Sequence, residues 1–362
     1  MIKHAYIHIP FCLRKCNYCS FVSGKNIEKK DIYISALLKE IKQKYKNEKL
    51  KTLYIGGGTP TLLDTENIKQ IIEHFYFEKD AEITIEANPE TIEKEKIKKI
   101  KKLGINRISL GVQTFNNDIL KSIGRIHTEE TIYNSIKTIK DADFSNISVD
   151  LIYGLPNQDI NLFKKDLEKA LSLDVQHIST YGLKIEEGSF FYKKPPKNIP
   201  NDEEQANMYS FLCKFLKENK FEHYEISNFA KEDNKSKHNC AYWKNKNYYG
   251  FGLNASGYEN NIRYRNNSNL NEYIKNPLLL EEKIELSKEE IKEEEIFLAL
   301  RLEEGIDIQN LNKKFNIDFE KEYKTIIEKY SKLNLLKLEN GFCKLTETGI
   351  LLSNEIMSEF IN

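Results

Sequence analysis

Half of the chain's six cysteines lie close together near its start, at Cys12, Cys16 and Cys19, in the spacing C-x3-C-x2-C. Three thiols this close cannot all pair as disulfides, and short loops of this kind can wrap sulfur ligands around a metal centre. Structural zinc sites and ordinary iron–sulfur clusters take four protein ligands. The cysteines therefore predict a metal centre that either takes a fourth ligand from elsewhere or keeps one metal position open. Three small buried side chains are the alternative, and Arg14 and Lys15 argue against it by making the loop polar.

Further polar residues and a run of glycines follow the next apolar stretches of the chain. The glycines can be a simple strand-to-helix turn, or they can let backbone amides approach a ligand closely. They do not form G-x-G-x-x-G, and no Gly-Lys-Ser/Thr follows, so neither a dinucleotide fingerprint nor a P-loop is supported. Singly, the polar residues are ordinary caps and surface partners; together they offer groups that suit a small zwitterionic nucleoside ligand. These candidates are Gly57, Gly58, Thr59, Glu86, Gln113, Arg125 and Asp150.

The elements that must position these residues are strands alternating with helices over the first half of the chain. Such alternation predicts an α/β fold with a parallel sheet, open or curled into a barrel. Six strand–helix units are too few for the usual closed eightfold barrel, so we predict a partial (β/α)6 barrel. Candidate residues then gather at the carboxyl ends of the strands. We predict strands at 5–9, 52–55, 82–86, 107–111, 148–152 and 177–181, and helices at about 28–46, 64–76, 91–103, 129–141 and 159–172.

Three consecutive domains are predicted. The partial barrel covers 1–190, and a linker and extension cover 191–285, with His238-Asn239-x-x-Tyr242-Trp243 in a polar loop. A C-terminal domain of helices and a hairpin, with its turn at Asn340-Gly341, covers 286–362 and suggests a winged-helix-like appendage. Acidic residues balance the basic ones there, so a packing or lid module is favoured over a DNA-binding one.

Composition sets wider bounds on the function. The chain has 362 residues, with 55 Lys and Arg against 55 Asp and Glu, so its net charge indicates no nucleic-acid partner. We see no signal pattern before the first strand and no apolar run of membrane-spanning length, and we therefore expect a cytoplasmic protein with reduced thiols. The scattered Cys213, Cys240 and Cys343 are interpreted as small apolar side chains.

Taken together, the motifs resemble those of the radical S-adenosylmethionine (SAM) enzymes, and more narrowly those of the oxygen-independent coproporphyrinogen III oxidase group. The resemblance runs in register from residue 1 to about 260 and continues less specifically beyond it. It rests on Tyr6-x-His8-x-Pro10-Phe11-Cys12-x3-Cys16-x-Tyr18-Cys19, Gly56-Gly57-Gly58-Thr59-Pro60-Thr61, Glu86-x-Asn88-Pro89, Ser109-Leu-Gly-Val-Gln113, Gly124-Arg125-x-His127 and Asp150-Leu-Ile-Tyr-Gly154-Leu-Pro156.

Within that group the sequence is more similar to the HemW-like heme chaperones than to the dehydrogenases. The dehydrogenases carry another cysteine two positions after the third cluster cysteine, where this chain has Phe21. The segment from His238 to Trp243 matches the HNxxYW signature of the chaperone branch. One departure is Ser256, which stands where that branch usually has a histidine.

The resemblance implies a cofactor and a role for each candidate residue. Three irons of a [4Fe–4S] cluster would be held by the cysteines, and SAM would chelate the open fourth iron, where one electron releases a 5′-deoxyadenosyl radical. The metal ligands would be Cys12, Cys16 and Cys19; the first SAM would meet Tyr6, Tyr18, Gly57, Gly58 and Glu86; a second SAM or an equivalent polar ligand would meet Thr59, Gln113, Arg125 and Asp150; and heme would meet His238, Tyr242 and Trp243.

The same resemblance implies partners and alternatives. A heme chaperone would bind heme as cargo and pass it to a membrane-associated hemoprotein. It would take electrons from a donor such as flavodoxin or ferredoxin. A homodimer of the chain is one assembly that the resemblance allows. SAM cleavage is expected, whereas coproporphyrinogen dehydrogenase activity in porphyrin biosynthesis is the second hypothesis. A scaffold that carries a cluster without turnover is the third.

Overall fold

The computed structural model describes residues 1–361, and its first part alternates strands and helices as predicted. All six predicted strands are present, each longer than its sequence pattern indicated. Two short helices, Asn117–Ser122 and Phe190–Lys193, were not predicted. The elements are β1 (His4–Ile9), α1 (Lys30–Lys44), β2 (Lys49–Gly57), α2 (Thr65–Ile72), β3 (Tyr76–Ala87), α3 (Lys94–Lys102), β4 (Arg107–Gln113), α4 (Asn117–Ser122), α5 (Glu129–Lys140), β5 (Asn146–Tyr153), α6 (Ile160–Ser172), β6 (His177–Gly182), α7 (Phe190–Lys193) and α8 (Asp202–Glu218).

The remaining chain contains shorter elements. They are β7 (Glu222–Glu225), β8 (Asn228–Ala230), α9 (Lys237–Trp243), β9 (Tyr249–Phe251), β10 (Ser256–Glu259), β11 (Ile262–Asn266), α10 (Leu270–Lys275), β12 (Leu280–Glu285), α11 (Lys288–Ala299), β13 (Ile306–Asp307), α12 (Ile308–Phe315), α13 (Phe319–Glu322), α14 (Lys324–Lys332), β14 (Leu336–Glu339), β15 (Phe342–Leu345), α15 (Glu347–Leu351) and α16 (Ser353–Ser358). Across residues 1–361, we find no helix with both the length and the apolar character needed to cross a bilayer.

Two compact units are interleaved along the chain. The barrel unit comprises Met1–Met208 and Asn247–Ile284, and the C-terminal unit comprises Tyr209–Lys246 and the chain from Glu285 onward. The sequence predicted three consecutive domains instead, with boundaries at 190/191 and 285/286. The predicted extension is thus divided between the two units.

The barrel unit is built on a parallel sheet in the order β6-β5-β4-β3-β2-β1-β9. The seventh strand, β9, was missed because its segment is short and rich in glycine. It pairs in parallel with β1, where Gly250 lies opposite Tyr6. A Cβ atom on Gly250 would lie 1.9 Å from the backbone oxygen of Ser256, so only glycine permits this approach.

A buried carboxylate holds the glycine-rich segment after β9 against the sheet. Glu40 of α1 is fully buried, and its Oε2 accepts hydrogen bonds from the Tyr273 hydroxyl (2.6 Å) and the Gly252 amide (2.9 Å). Its Oε1 accepts from Asn266 Nδ2 and Lys44 Nζ, both at 2.8 Å. Because a buried carboxylate is costly unless it is paired, this network favours one position for the segment.

The C-terminal unit has a core of its own. Helices α11, α12 and α14 pack around the antiparallel sheet β13-β15-β14, whose hairpin turns at Asn340-Gly341 as predicted. Both turn residues have positive φ, 53° and 82°, which Asn and Gly adopt most easily. Buried residues of this core include Ile296, Phe319 and Phe360.

Candidate functional site

The three cysteines lie in a loop between β1 and α1 at the carboxyl end of the sheet. The loop is closed by backbone bonds from Cys12 N to Gly24 O and from Gly24 N to Pro10 O, both 2.9 Å, while Cys19 N donates to Cys16 O at 3.2 Å. The thiols of all three cysteines are free, and their residues are partly buried. The loop therefore presents three unpaired sulfurs beside the strand ends.

Asn17 fixes the middle of this loop to the rest of the barrel unit. Its backbone N donates to Ile123 O and its Nδ2 to Ser122 O, both at 2.9 Å, and its carbonyl accepts from Phe191 N at 2.9 Å. The ring of Tyr18 next to it packs on an apolar cluster around Ile123 and Phe191. The cysteine loop is thereby held by residues that follow β4 and β6 in the chain.

The glycine run after β2 lies directly against the first cysteine. Gly58 N donates to Ile9 O at 2.8 Å, and Thr59 N donates to Phe11 O at 2.7 Å. A Cβ on Gly58 would lie 2.6 Å from Phe11 O and 3.0 Å from Cys12 Sγ. The glycine run therefore packs closely against the cysteine loop, and the approach of its amides to a ligand stays a prediction.

The three free thiols are a set of donor groups that suits an iron–sulfur cluster, whose irons are held by cysteine thiolates. Burial raises the pKa of the Cys12 thiol, and it raises that of Cys19 to about 11, so a bound metal is needed to make them thiolates at neutral pH. Among residues 1–361, no three His, Cys, Asp or Glu side chains gather as a single-ion site requires. Each thiolate of a cluster binds its own iron, so its thiols stand further apart than the ligands of one ion.

Glu86 ends β3 within the same site. Its Oε1 accepts from the Tyr54 hydroxyl at 2.8 Å, and its Oε2 accepts from the Gly57 amide at 2.9 Å. Gly57 has a φ of +112°, and a Cβ there would lie 2.6 Å from the His8 ring. Burial raises the pKa of Glu86 to about 7. This carboxyl group is thus partly buried, oriented by two hydrogen bonds and able to change its charge near neutral pH.

This pKa predicts a pH dependence of stability. Between the ordinary pKa of a glutamate, about 4.3, and about 7, folded Glu86 keeps a proton that the unfolded chain has lost. Stability therefore falls as the pH rises through this window, by up to about 4 kcal/mol from this group. We expect Glu86→Gln, which stays neutral, to lose much less stability between pH 5 and pH 8. Urea unfolding of the metal-free protein at both pH values measures the difference.

The control for this pH effect is Glu93→Gln, at an exposed position just before α3. It should keep the wild-type change between the two pH values. If Glu86→Gln also kept that full change, burial of the Glu86 carboxyl would not be its cause.

Asp150 of β5 is a second, partly buried carboxylate at this end of the sheet. Its two oxygens accept from Ser109 Oγ at 3.1 and 3.2 Å. Burial raises its pKa. Gln113 lies at an irregularity in the β4–β5 pairing and has a φ of +69°. A Cβ on Gly111 would lie 2.9 Å from both Gln113 Nε2 and Asn88 Oδ1, so the Gln113 side chain turns back over the end of β4.

Arg125 connects the cysteine loop to the ends of β3 and β4. Its Nη2 donates to Asn88 Oδ1 at 2.7 Å and to Gly111 O at 2.8 Å, and its Nη1 donates to Cys16 Sγ at 3.5 Å. Asn88 Nδ2 in turn donates to Thr59 Oγ1 at 2.8 Å, and Thr59 Oγ1 donates to Cys12 Sγ at 3.7 Å. Two of the predicted ligand-binding residues, Thr59 and Arg125, are thus joined through Asn88 into one polar network with Cys12 and Cys16.

Asn88 and His127 belong to this network, and His8 lies close to Gly57 at the same strand ends, although the sequence motifs assigned none of the three a role. Because a backbone carbonyl only accepts, His8 Nε2 carries the proton and donates to Val22 O at 2.9 Å. Its Nδ1 then accepts from the Tyr6 hydroxyl at 2.9 Å. For His8, the signal available in the sequence was a polar side chain among the apolar residues of β1. A strand inside a parallel sheet reads as a nearly continuous apolar run, so a polar residue within it is unusual.

The predicted heme residues lie in the C-terminal unit and on a helix. The expected polar loop is wrong, because Ser236 Oγ accepts from Asn239 N and begins α9. His238 is 1% exposed, and its Nε2 is 2.8 Å from the Tyr242 hydroxyl, one turn later on the helix. The Trp243 ring lies 4.4 Å from the Arg301 guanidinium. The geometry of His238 is that of a buried, hydrogen-bonded side chain.

The two positions that distinguish the branches of the group are accessible. Phe21, in place of the additional cysteine, is 65% exposed, and Ser256 begins β10 as an exposed residue. The backbone of Phe21 is hydrogen-bonded to Cys19, while its side chain is exposed.

Comparison with known proteins agrees with this arrangement. The radical SAM superfamily matches residues 6–170, and the HemN C-terminal domain matches residues 286–352. The heme chaperone HemW of Lactococcus lactis is 39% identical over 99% of this chain and 97% of that protein. The heme chaperone HemW of Bacillus subtilis is 35% identical over 99% of both. The structure of coproporphyrinogen III oxidase (HemN) from Escherichia coli, described as a radical SAM enzyme, matches with a TM-score of 0.87 at 22% identity, over 99% of this chain and 90% of that one.

These similarities bear on fold and family in different ways. The likeness to HemN confirms the predicted α/β fold with a C-terminal region of helices and a small sheet. The full-length identity to HemW proteins confirms the predicted resemblance to that branch of the group. The chain therefore belongs to the radical SAM superfamily, within the family of HemW proteins.

Proposed function

We propose that this chain binds a [4Fe–4S] cluster through Cys12, Cys16 and Cys19, binds SAM at the open iron, and carries heme to hemoproteins. The observation that carries the proposal is the position of three free thiols against the glycine run at the strand ends, where Gly58 has no room for a side chain. Two HemW relatives named heme chaperones, similar over the full chain, support the cargo.

The residues around the thiols have groups that suit a SAM molecule. With SAM bound, the cluster supplies one electron for cleavage of the sulfonium. Glu86 offers a carboxylate to an ammonium or a hydroxyl group, and Gly57 and Gly58 let backbone approach the methionine end. Tyr6 and Tyr18 would border this ligand. A second SAM or an equivalent polar ligand would meet Thr59, Gln113, Arg125 and Asp150, of which Thr59 and Arg125 are joined through Asn88.

For heme, we propose a site that involves His238, Tyr242 and Trp243. Histidine is a common axial ligand of heme iron, and the aromatic rings suit the macrocycle. Because His238 Nε2 is hydrogen-bonded to Tyr242, the histidine must exchange this partner to bind iron. A membrane-associated acceptor, an electron donor such as flavodoxin or ferredoxin, a homodimer and a cytoplasmic location remain predictions.

Two assays on one anaerobic, cluster-reconstituted preparation test the function. We expect the protein to bind about one heme per chain in a form that survives gel filtration, as a chaperone must hold its cargo. With coproporphyrinogen III, SAM and a reductant, we expect no protoporphyrinogen IX. Formation of that product would contradict the chaperone function and favour the dehydrogenase, whereas failure to bind heme would leave the cluster-bearing scaffold.

The heme ligand is tested in the same titration. His238→Ala is expected to weaken heme binding and change the heme absorbance, while Tyr242→Phe removes the hydrogen bond and leaves the histidine. The control is His74→Ala, which should bind heme as the wild type does. His74 lies in the barrel unit, where its Nδ1 is hydrogen-bonded to the backbone oxygen of Gln70. Unchanged binding and absorbance in His238→Ala would exclude His238 as the ligand.

A further inference from the structure

We propose that Arg125 is a positioning residue that raises the reduction potential of the cluster through Cys16. This rests on the proposed function, since it assumes a [4Fe–4S] cluster on the three cysteines. The motif resemblance implied a different role for Arg125, in binding a SAM molecule or an equivalent ligand. The observation that carries the new role is the contact of 3.5 Å from its Nη1 to Cys16 Sγ.

The guanidinium is held in place by groups that do not depend on a ligand. Arg125 is 8% exposed, and Nη2 donates to two oxygens, Asn88 Oδ1 at 2.7 Å and Gly111 O at 2.8 Å. Because the guanidinium is a rigid plane, these two bonds also fix where Nη1 points. Its direction toward Cys16 is therefore part of the fold.

The other end of the guanidinium meets a neutral histidine. His127 Nε2 lies 3.2 Å from Val112 O, which only accepts, so the proton is on Nε2 and Nδ1 accepts from Arg125 Nε at 3.3 Å. Burial lowers the pKa of His127, which agrees with this neutral form. No second cation then competes with the Arg125 charge at this end.

Glu90 places a carboxylate near the arginine, and Asp150 interacts with the same charge electrostatically. Glu90 Oε2 is 4.0 Å from Arg125 Nη2 and 3.3 Å from His127 Nδ1. The Glu90 carboxylate therefore lies beside Nη2 of Arg125 and Nδ1 of His127, whereas Nη1 of Arg125 contacts Cys16. Glu90 thus offsets part of the positive charge without replacing the contact to sulfur.

Reduction increases the negative charge next to this cation. The oxidised cluster takes one electron from an external one-electron donor, no bond breaks, and the cluster with its three thiolates gains one negative charge. A cation at a thiolate favours the more negative, reduced form, and hydrogen bonds to the sulfurs act in the same direction. Since Arg125 is removed from water, its charge is screened less than that of an exposed lysine.

The test is a redox titration of the reconstituted, SAM-free protein, followed by the electron paramagnetic resonance signal of the reduced cluster. For Arg125→Gln we expect at least a tenfold lower ratio of reduced to oxidised cluster at a fixed potential, which for one electron corresponds to about 59 mV. Arg125→Lys keeps the positive charge but lacks the planar set of donors, so its ratio of reduced to oxidised cluster should lie between those of Arg125→Gln and the wild type. Lys15→Gln, which removes a more exposed charge next to Cys16 in sequence, is the control and should shift the ratio much less.

Asn88→Ala is a second test, because it removes one of the two oxygens that orient the guanidinium of Arg125. We expect it to lower the ratio of reduced to oxidised cluster by less than Arg125→Gln does. An unchanged potential in Arg125→Gln with a full four-iron cluster would overturn the inference. If that variant does not hold the cluster, unchanged potentials in both Arg125→Lys and Asn88→Ala overturn it. A wild-type chain that takes up no cluster would instead refute the proposed function, and this inference with it.

Discussion

Replacing Cys16 with alanine is expected to abolish assembly of the iron–sulfur cluster. An alanine has no group that binds iron, and the two remaining thiols leave two irons of the cluster without a protein ligand. Iron in the reconstituted protein should fall from about four per chain to below about one, and the brown absorbance should disappear. Iron and sulfide analysis after gel filtration measures the loss.

Cys213→Ala is the matched control for this variant. Cys213 is also a free, partly buried cysteine, but it lies on α8, in the C-terminal unit and outside the motif. It should retain the full iron content. Circular dichroism should show both variants folded, because alanine at Cys16 removes a single sulfur atom with its contacts to Arg125 and Tyr18 and leaves the backbone bonds of the loop in place. A full iron complement in Cys16→Ala would show that the ligand assignment is wrong.

The second large effect is expected for Gly58→Ala, which adds a single carbon to the crowded side of the cysteine loop. The new Cβ would lie 2.6 Å from Phe11 O, 2.9 Å from Ile9 O and 3.0 Å from Cys12 Sγ. Two of these atoms are backbone oxygens that accept bonds from Gly58 N and Thr59 N, so the loop itself must move. We expect about 1–3 kcal/mol of lost stability in the metal-free protein, together with incomplete cluster loading.

Thermal unfolding and iron content of Gly58→Ala measure the two effects. Gly24→Ala is the control within the same loop, since the nearest atom to a Cβ there is Asn26 Oδ1 at 3.9 Å. It should unfold and load iron nearly as the wild type does. Wild-type stability and iron content in Gly58→Ala would mean that the glycine run and Cys12 do not pack as described.

The outcomes for particular elements show where sequence patterns suffice. Strand β5 was predicted at 148–152 and is observed at Asn146–Tyr153, because a run of β-branched and apolar residues carries its own signal. By contrast, β9 has three residues, one of them glycine, and becomes a strand only because β1 offers it a free edge. The helix that carries His238 was also missed, since Ser236 was not recognised as its cap.

The sequence by itself determined the strand–helix alternation, the family and the cysteine triplet that is predicted to bind the metal, because each is encoded by residue types at short spacing. Only the tertiary structure decided which polar groups meet. Arg125 and Cys16 are 109 residues apart in the chain, and their contact depends on the position of the β4 end relative to the loop after β1. The burial of His238 against Tyr242 and the raised pKa of Glu86 depend likewise on the surrounding packing, which excludes water from these groups.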